Sequence, residues 1–120
     1  MIRSIACLLS IIGLTFALEN DGDSLVMEGV RAFYNYEFDR SINTLNRARS
    51  QYPDHPGVHF IWTSAKYYVS QGIDPIHATY DTLDNSLAKI EPVYNRFVKE
   101  HPENYQYRLY LGSTRAVSYT

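Results

Sequence analysis

A single cysteine, Cys7, is all the thiol chemistry available, and it sits in an apolar stretch near the start of the chain. No disulfide framework can be drawn from it. Positive charge is not in excess: 11 basic residues face 13 acidic ones and the two signs are interspersed. No basic stripe runs along the sequence, which argues against a nucleic-acid partner. A Gly-rich phosphate loop and a Gly-x-Ser-x-Gly turn are also missing. There is no sustained period-two alternation and no Asn-Gly or Asp-Gly turn set between two alternating segments, so strands and hairpins find no support.

What is present is a folded composition: 45% hydrophobic and 20% charged residues in 120 positions, room for one domain. Eleven tyrosines accompany five phenylalanines and one tryptophan. Tyrosine joins a large apolar face to a polar tip, which suits half-buried helix contacts and binding surfaces alike.

The N-terminus reads as a separate piece. Arg3 precedes an apolar run over residues 5–16, and Thr15-Phe16-Ala17 resembles a signal-peptidase site followed at once by polar Glu19-Asn20-Asp21. The run is shorter than the roughly 18–20 residues of a spanning helix. The expectation is a signal peptide over residues 1–17, cut after Ala17, and a mature domain over 18–120 with no cysteine and no integral membrane span. Cys7 lies too near the start of the run for a lipid-bearing position.

Helix signals fill the remainder. Asp23 or Ser24 is placed to cap a helix bearing Leu25, Val26, Val30, Phe33 and Tyr34. After a turn at 35–38, Asp39 is placed to cap a second helix with Ile42, Leu45 and Ala48 on one face. Pro53 and Pro56 end it. A third helix covers about 58–70, and Asp74-Pro75 opens a fourth that runs to His101-Pro102. Pro92 must either kink that helix or begin a new one. A last helix opens near Glu103, and its Leu109, Tyr110, Val117 and Tyr119 are expected to have little cover.

A repeat underlies this order. Gly29 and Thr63 are both small, lie mid-helix and stand 34 positions apart. Pro102 and Gly112 repeat the ten-residue offset of Pro53 and Thr63 after a step longer by 15, placed between Ser70 and Leu83. Gly29, Phe38, Ser41, Leu45, Ala48 and Pro53 fall at the spacing of the tetratricopeptide repeat signature, with Ser41 where alanine is usual, and Leu111-Gly112 resembles the pair that opens another repeat. The mature chain resembles exported bacterial tetratricopeptide proteins with a widened second hairpin.

That resemblance implies an all-α, antiparallel helical-hairpin solenoid of about 2.3 repeats. Repeat 1 covers about 22–55, a widened repeat 2 about 56–103, and the first helix of repeat 3 about 104–119. It further implies a non-enzymatic scaffold of the periplasm or cell envelope that holds a protein or peptide in a concave face. Val30, Phe33, Tyr34, Ser64, Tyr67, Tyr68, Ser113, Ala116 and Val117 fall at the groove positions. Core packing is the competing reading for Phe33 and Tyr67. The Lys, Arg and Asn of the family's peptide-carboxylate clamp are missing from these positions. The alternative is an assembly module that stacks on another copy or on an envelope complex through an uncapped C-terminal helix. No cofactor and no metal are expected. His55 and His59 read as solvated loop and helix-start residues, and Asp81 and Asp84 as a solvated helix face or a cap for Asn85 onward.

Overall fold

Residues 20–118 are described in a computed structural model, and all regular structure among them is helical. Five helices follow in order: α1 (Asp23–Tyr34), α2 (Phe38–Gln51), α3 (Val58–Ile73), α4 (Ile76–Glu100) and α5 (Tyr105–Ser118). Connections of two to six residues turn each helix back along its predecessor. Each helix packs chiefly on its neighbour in sequence. The expected leader over residues 1–17, its expected cleavage position after Ala17, and Tyr119 lie outside the described residues. No helix among the described residues is long and apolar enough to cross a membrane.

Two apolar cores flank α3. Val26 and Val30 of α1 meet Leu45 and Ala48 of α2 and Ile61 and Ala65 of α3 in the first. Phe60 and Tyr67 of α3 join Leu87, Tyr94, Tyr110 and others from α4 and α5 in the second. So α3 is covered on two sides, which is why its apolar residues form a broad band and not a narrow stripe. The second core is aromatic. Tyr94 stacks on Tyr110 with ring centroids 6.0 Å apart and planes at 17°. Tyr94 is wholly buried, and the Phe60 N–H donates to its hydroxyl at 3.2 Å. Burial pushes that phenol well above its ordinary pKa.

The small residue at mid-α1 does what close packing requires. A Cβ on Gly29 would stand 2.6 Å from Leu45 Cγ, so α2 approaches within side-chain-free distance. The Ser41 hydroxyl donates to the Gly29 carbonyl at 2.7 Å, a use that alanine at this position could not serve. The extra length of the second pair enters as helix and not as loop. With 16 and 25 residues, α3 and α4 exceed the 12 and 14 of α1 and α2, and only 74–75 separate them.

Several expectations need correction. Asp23 does not cap the N–H groups ahead of it; one carboxylate oxygen accepts from the Asn20 N–H at 2.6 Å and the other meets His55. Gly22 takes the cap position at φ 92°, where a Cβ would also strike Tyr52. Helix α2 starts at Phe38 behind Glu37, one residue before Asp39. Asp74 closes α3 instead of capping α4: its N–H donates to the Ser70 carbonyl at 2.8 Å and its carboxylate accepts from the Ser70 hydroxyl at 2.7 Å. Pro92 begins no new helix, since α4 runs through it. Tyr110 and Leu111 are buried and Val117 is half-buried, so α5 has more cover than expected.

Candidate functional site

The C-terminus of α1 carries an unusual turn. The Tyr36 N–H donates to the Phe33 carbonyl at 3.0 Å, and the Glu37 N–H donates to the Ala32 carbonyl at 2.9 Å. This is the Schellman arrangement, whose first residue beyond the cap sits in the left-handed region and is usually glycine. Here it is Tyr36, at φ 63°. Left-handed backbone costs an L-residue about 1–2 kcal/mol. Burial does not offset this, because Tyr36 is 77% exposed.

Around that turn the rings interlock. Phe33 meets Tyr34 at 5.7 Å, Phe38 at 5.5 Å and Tyr68 at 5.0 Å, all edge to face. Tyr36 meets Phe38 at 6.0 Å, and Phe38 meets Tyr68 at 5.7 Å. Each such pair adds about 0.5–1.5 kcal/mol beyond area burial. Phe33, Phe38 and Tyr68 are half-buried and form the base, while Tyr34, 52% exposed, and Tyr36 stand out into solvent. The result is an aromatic edge shared by α1, α2 and α3. A polar depression of about 400 Å³, lined by Glu28, Arg31, Asn35 and Arg40 among others, lies beside it.

The groove positions from the sequence divide accordingly. Phe33, Tyr34 and Tyr68 come together. Val30 and Tyr67 are core residues, 6% and 2% exposed. Ser64 and Ser113 are buried too, their hydroxyls donating to the carbonyls of Phe60 and Leu109 at 2.8 Å. These four offer nothing to an incoming partner: Val30 is held in the first core and Tyr67 in the second, and the hydroxyls of Ser64 and Ser113 turn back to their own helices. Ala116 is exposed and Val117 half-buried on α5, with neither in the aromatic cluster. Sequence reading missed Tyr36 and Phe38 as site residues, because the left-handed turn that sets Tyr36 apart shows only in the backbone.

The two histidines also need correction: both are buried. The Gly57 N–H donates to His55 Nδ1 at 3.1 Å, which leaves Nε2 to carry the proton and donate to Asp23 Oδ1 at 2.6 Å. His59 Nε2 donates to the Pro53 carbonyl at 2.8 Å, with its ring against Tyr94 and Phe97. Burial lowers both pKa values; Asp23 opposes it at His55 and the Pro53 hydrogen bond at His59. Both ring nitrogens of His55 are engaged, so the Asp23–His55 pair has no free nitrogen to activate a nucleophile. Its role is to join. The Tyr107 hydroxyl donates to the Asp54 carbonyl at 2.7 Å and Asn20 Nδ2 to Gln106 Oε1 at 3.3 Å, so the start of α1, the α2–α3 loop and the start of α5 form one polar clasp.

Asp81 and Asp84 are exposed on α4 as expected. Among the described residues, no three His, Cys, Asp or Glu side chains converge to hold a metal ion. Among known proteins, no family model, no curated protein and no solved structure matches the chain.

Proposed function

We propose that the chain is an exported binding scaffold of the tetratricopeptide type, which holds a partner protein or peptide through the aromatic edge of Tyr34, Tyr36 and Tyr68. The observation that carries this reading is Tyr36. A large ring is kept in solvent on a backbone conformation that disfavours it, at a position where glycine would fold better. A side chain that opposes folding where it stands supports a use other than folding. Docking is apolar and tyrosine-mediated: rings already locked edge to edge lose little side-chain entropy when a partner covers them, and hydroxyl tips supply hydrogen bonds at the rim. Placement in the periplasm or cell envelope rests on the leader pattern over residues 1–17.

The test is capture from an envelope extract by the mature chain, with the retained protein identified by mass spectrometry. Tyr36→Gly and Tyr34→Ala are expected to lose that protein while keeping the wild-type circular dichroism spectrum. Undiminished capture by both would refute the aromatic edge.

A second reading keeps the C-terminal helix as a stacking face. Gly29 is covered by Leu45, whereas a Cβ on Gly112 of α5 meets nothing within 4 Å. With exposed Ala116 and half-buried Leu109 nearby in the helix, this face could admit a helix of another copy. Light scattering distinguishes the readings: mass that rises with concentration supports stacking, and a constant monomer mass removes it.

A further inference from the structure

A second surface lies on α3 away from the aromatic edge. Trp62 precedes Tyr68 by six residues, about 9 Å along the helix and about 120° around it. Two cations rest on the Trp62 ring: the Arg49 guanidinium of α2, 3.9 Å from the ring centroid, and the Lys66 ammonium one turn further along α3, at 3.7 Å. Lys66 is half-buried, and its pKa is lowered by burial and then by the neighbouring charges of Arg49 and Lys89. Among the described residues, no carboxylate lies within 4.0 Å of Arg49, Lys66 or Lys89. The hydrogen-bonding balance is equally one-sided. Arg49 Nη2 donates to Asn46 Oδ1 at 3.0 Å, but Arg49 Nε and Trp62 Nε1 are buried with no acceptor. A chain whose net charge is -2 thus stacks cations from two helices on one indole, with the Lys89 charge of α4 acting on Lys66, and among the described residues sets no carboxylate beside them.

We propose that Arg49, Trp62, Lys66 and Lys89 form a docking surface for an acidic segment of a partner protein. Like charges held together are repulsive, so the arrangement gains most when carboxylates enter it. The indole holds the guanidinium and one ammonium in place before binding, which lowers the ordering cost. Arg49 and Lys66 stand on one ring from successive helices, and with the Lys89 charge beyond them they match several carboxylates along one segment better than a single small anion. This surface shares no residue with the aromatic edge, so either can fail without the other.

Trp62 is the chain's only tryptophan, so its emission reports on this surface directly. The mature chain is titrated with a hexaglutamate peptide, with hexaglutamine and inorganic phosphate in parallel. Anisotropy of a labelled hexaglutamate gives an independent reading. Saturable binding is expected for hexaglutamate alone, weaker as salt rises. Lys66→Ala and Lys89→Ala are each expected to weaken it about three- to ten-fold, as loss of one rim charge does. The proposal is overturned by absence of saturable binding, by equal binding of hexaglutamine, or by unchanged affinity in both variants. Displacement of the peptide by phosphate, but not by chloride at matched ionic strength, would also overturn it in favour of a small-anion site.

Discussion

Tyr36 and the two buried histidines set the behaviour of the molecule at the scale of single residues. Tyr36→Gly relieves left-handed strain and should stabilise the fold by about 1 kcal/mol. For a domain of this size that is a rise of about 4–8 °C in Tm, readable by thermal denaturation. A fall in Tm would mean that the ring contact with Phe38 outweighs the strain. The histidines act through pH. Their folded pKa values lie below the ordinary 6.5, so below that pH the unfolded chain binds protons that the folded chain refuses. Stability should be level above about pH 6.5 and fall below it, by at most about 1.4 kcal/mol per pH unit for each histidine. Urea midpoints at pH 7.5 and 5.5 check this, and His59→Gln should reduce the slope. Neither feature was legible locally. A loop reading Pro-Asp-His-Pro looks solvated, and its His55 and Pro56 are buried only because elements 30 or more residues away in either direction close over that half. No local pattern reports the sign of φ at residue 36.

Helices were far more legible, since the apolar spacing that defines them is also what buries them. Gly29 is the clearest case, a small residue mid-helix that lets α2 approach. Gly29→Ala drives a methyl group into Leu45, and should cost about 1–3 kcal/mol as overpacking does, less the higher helix propensity of alanine. Gly112→Ala is the matched control. With open space around it, the same change should stabilise α5 by about 1 kcal/mol. Chemical denaturation of the two variants side by side should give shifts of opposite sign, and shifts of equal sign would mean that the two glycines do not differ in packing. Helix ends were read less well because the capping side chains serve other partners. Asp23 is drawn to His55, and Asp74 to Ser70 of the preceding helix. Pro92 left two possibilities open. The buried Ile90, Tyr94 and Phe97 on either side of it anchor α4 in the second core, and the helix continues.

Across the whole molecule, the all-α class followed from the sequence, while the division of the candidate site did not. Groove positions copied from regular spacing assume that α3 keeps an open face. The two cores bury Val30 and Tyr67 on either side of α3, leaving Phe33, Tyr34 and Tyr68 at one end of the helices. The polar clasp joins the other end, where α1, α3 and α5 begin. Tyr107→Phe removes one of its long-range ties and should cost about 0.5–1.5 kcal/mol, measured by urea denaturation. The placement of the clasp also has a mechanical consequence. The start of α1, the α2–α3 loop and the start of α5 are tied there by side-chain hydrogen bonds. The molecule is therefore latched at its polar end by a tie that spans 86 residues of sequence, from Asn20 ahead of the first helix to Gln106 of the last.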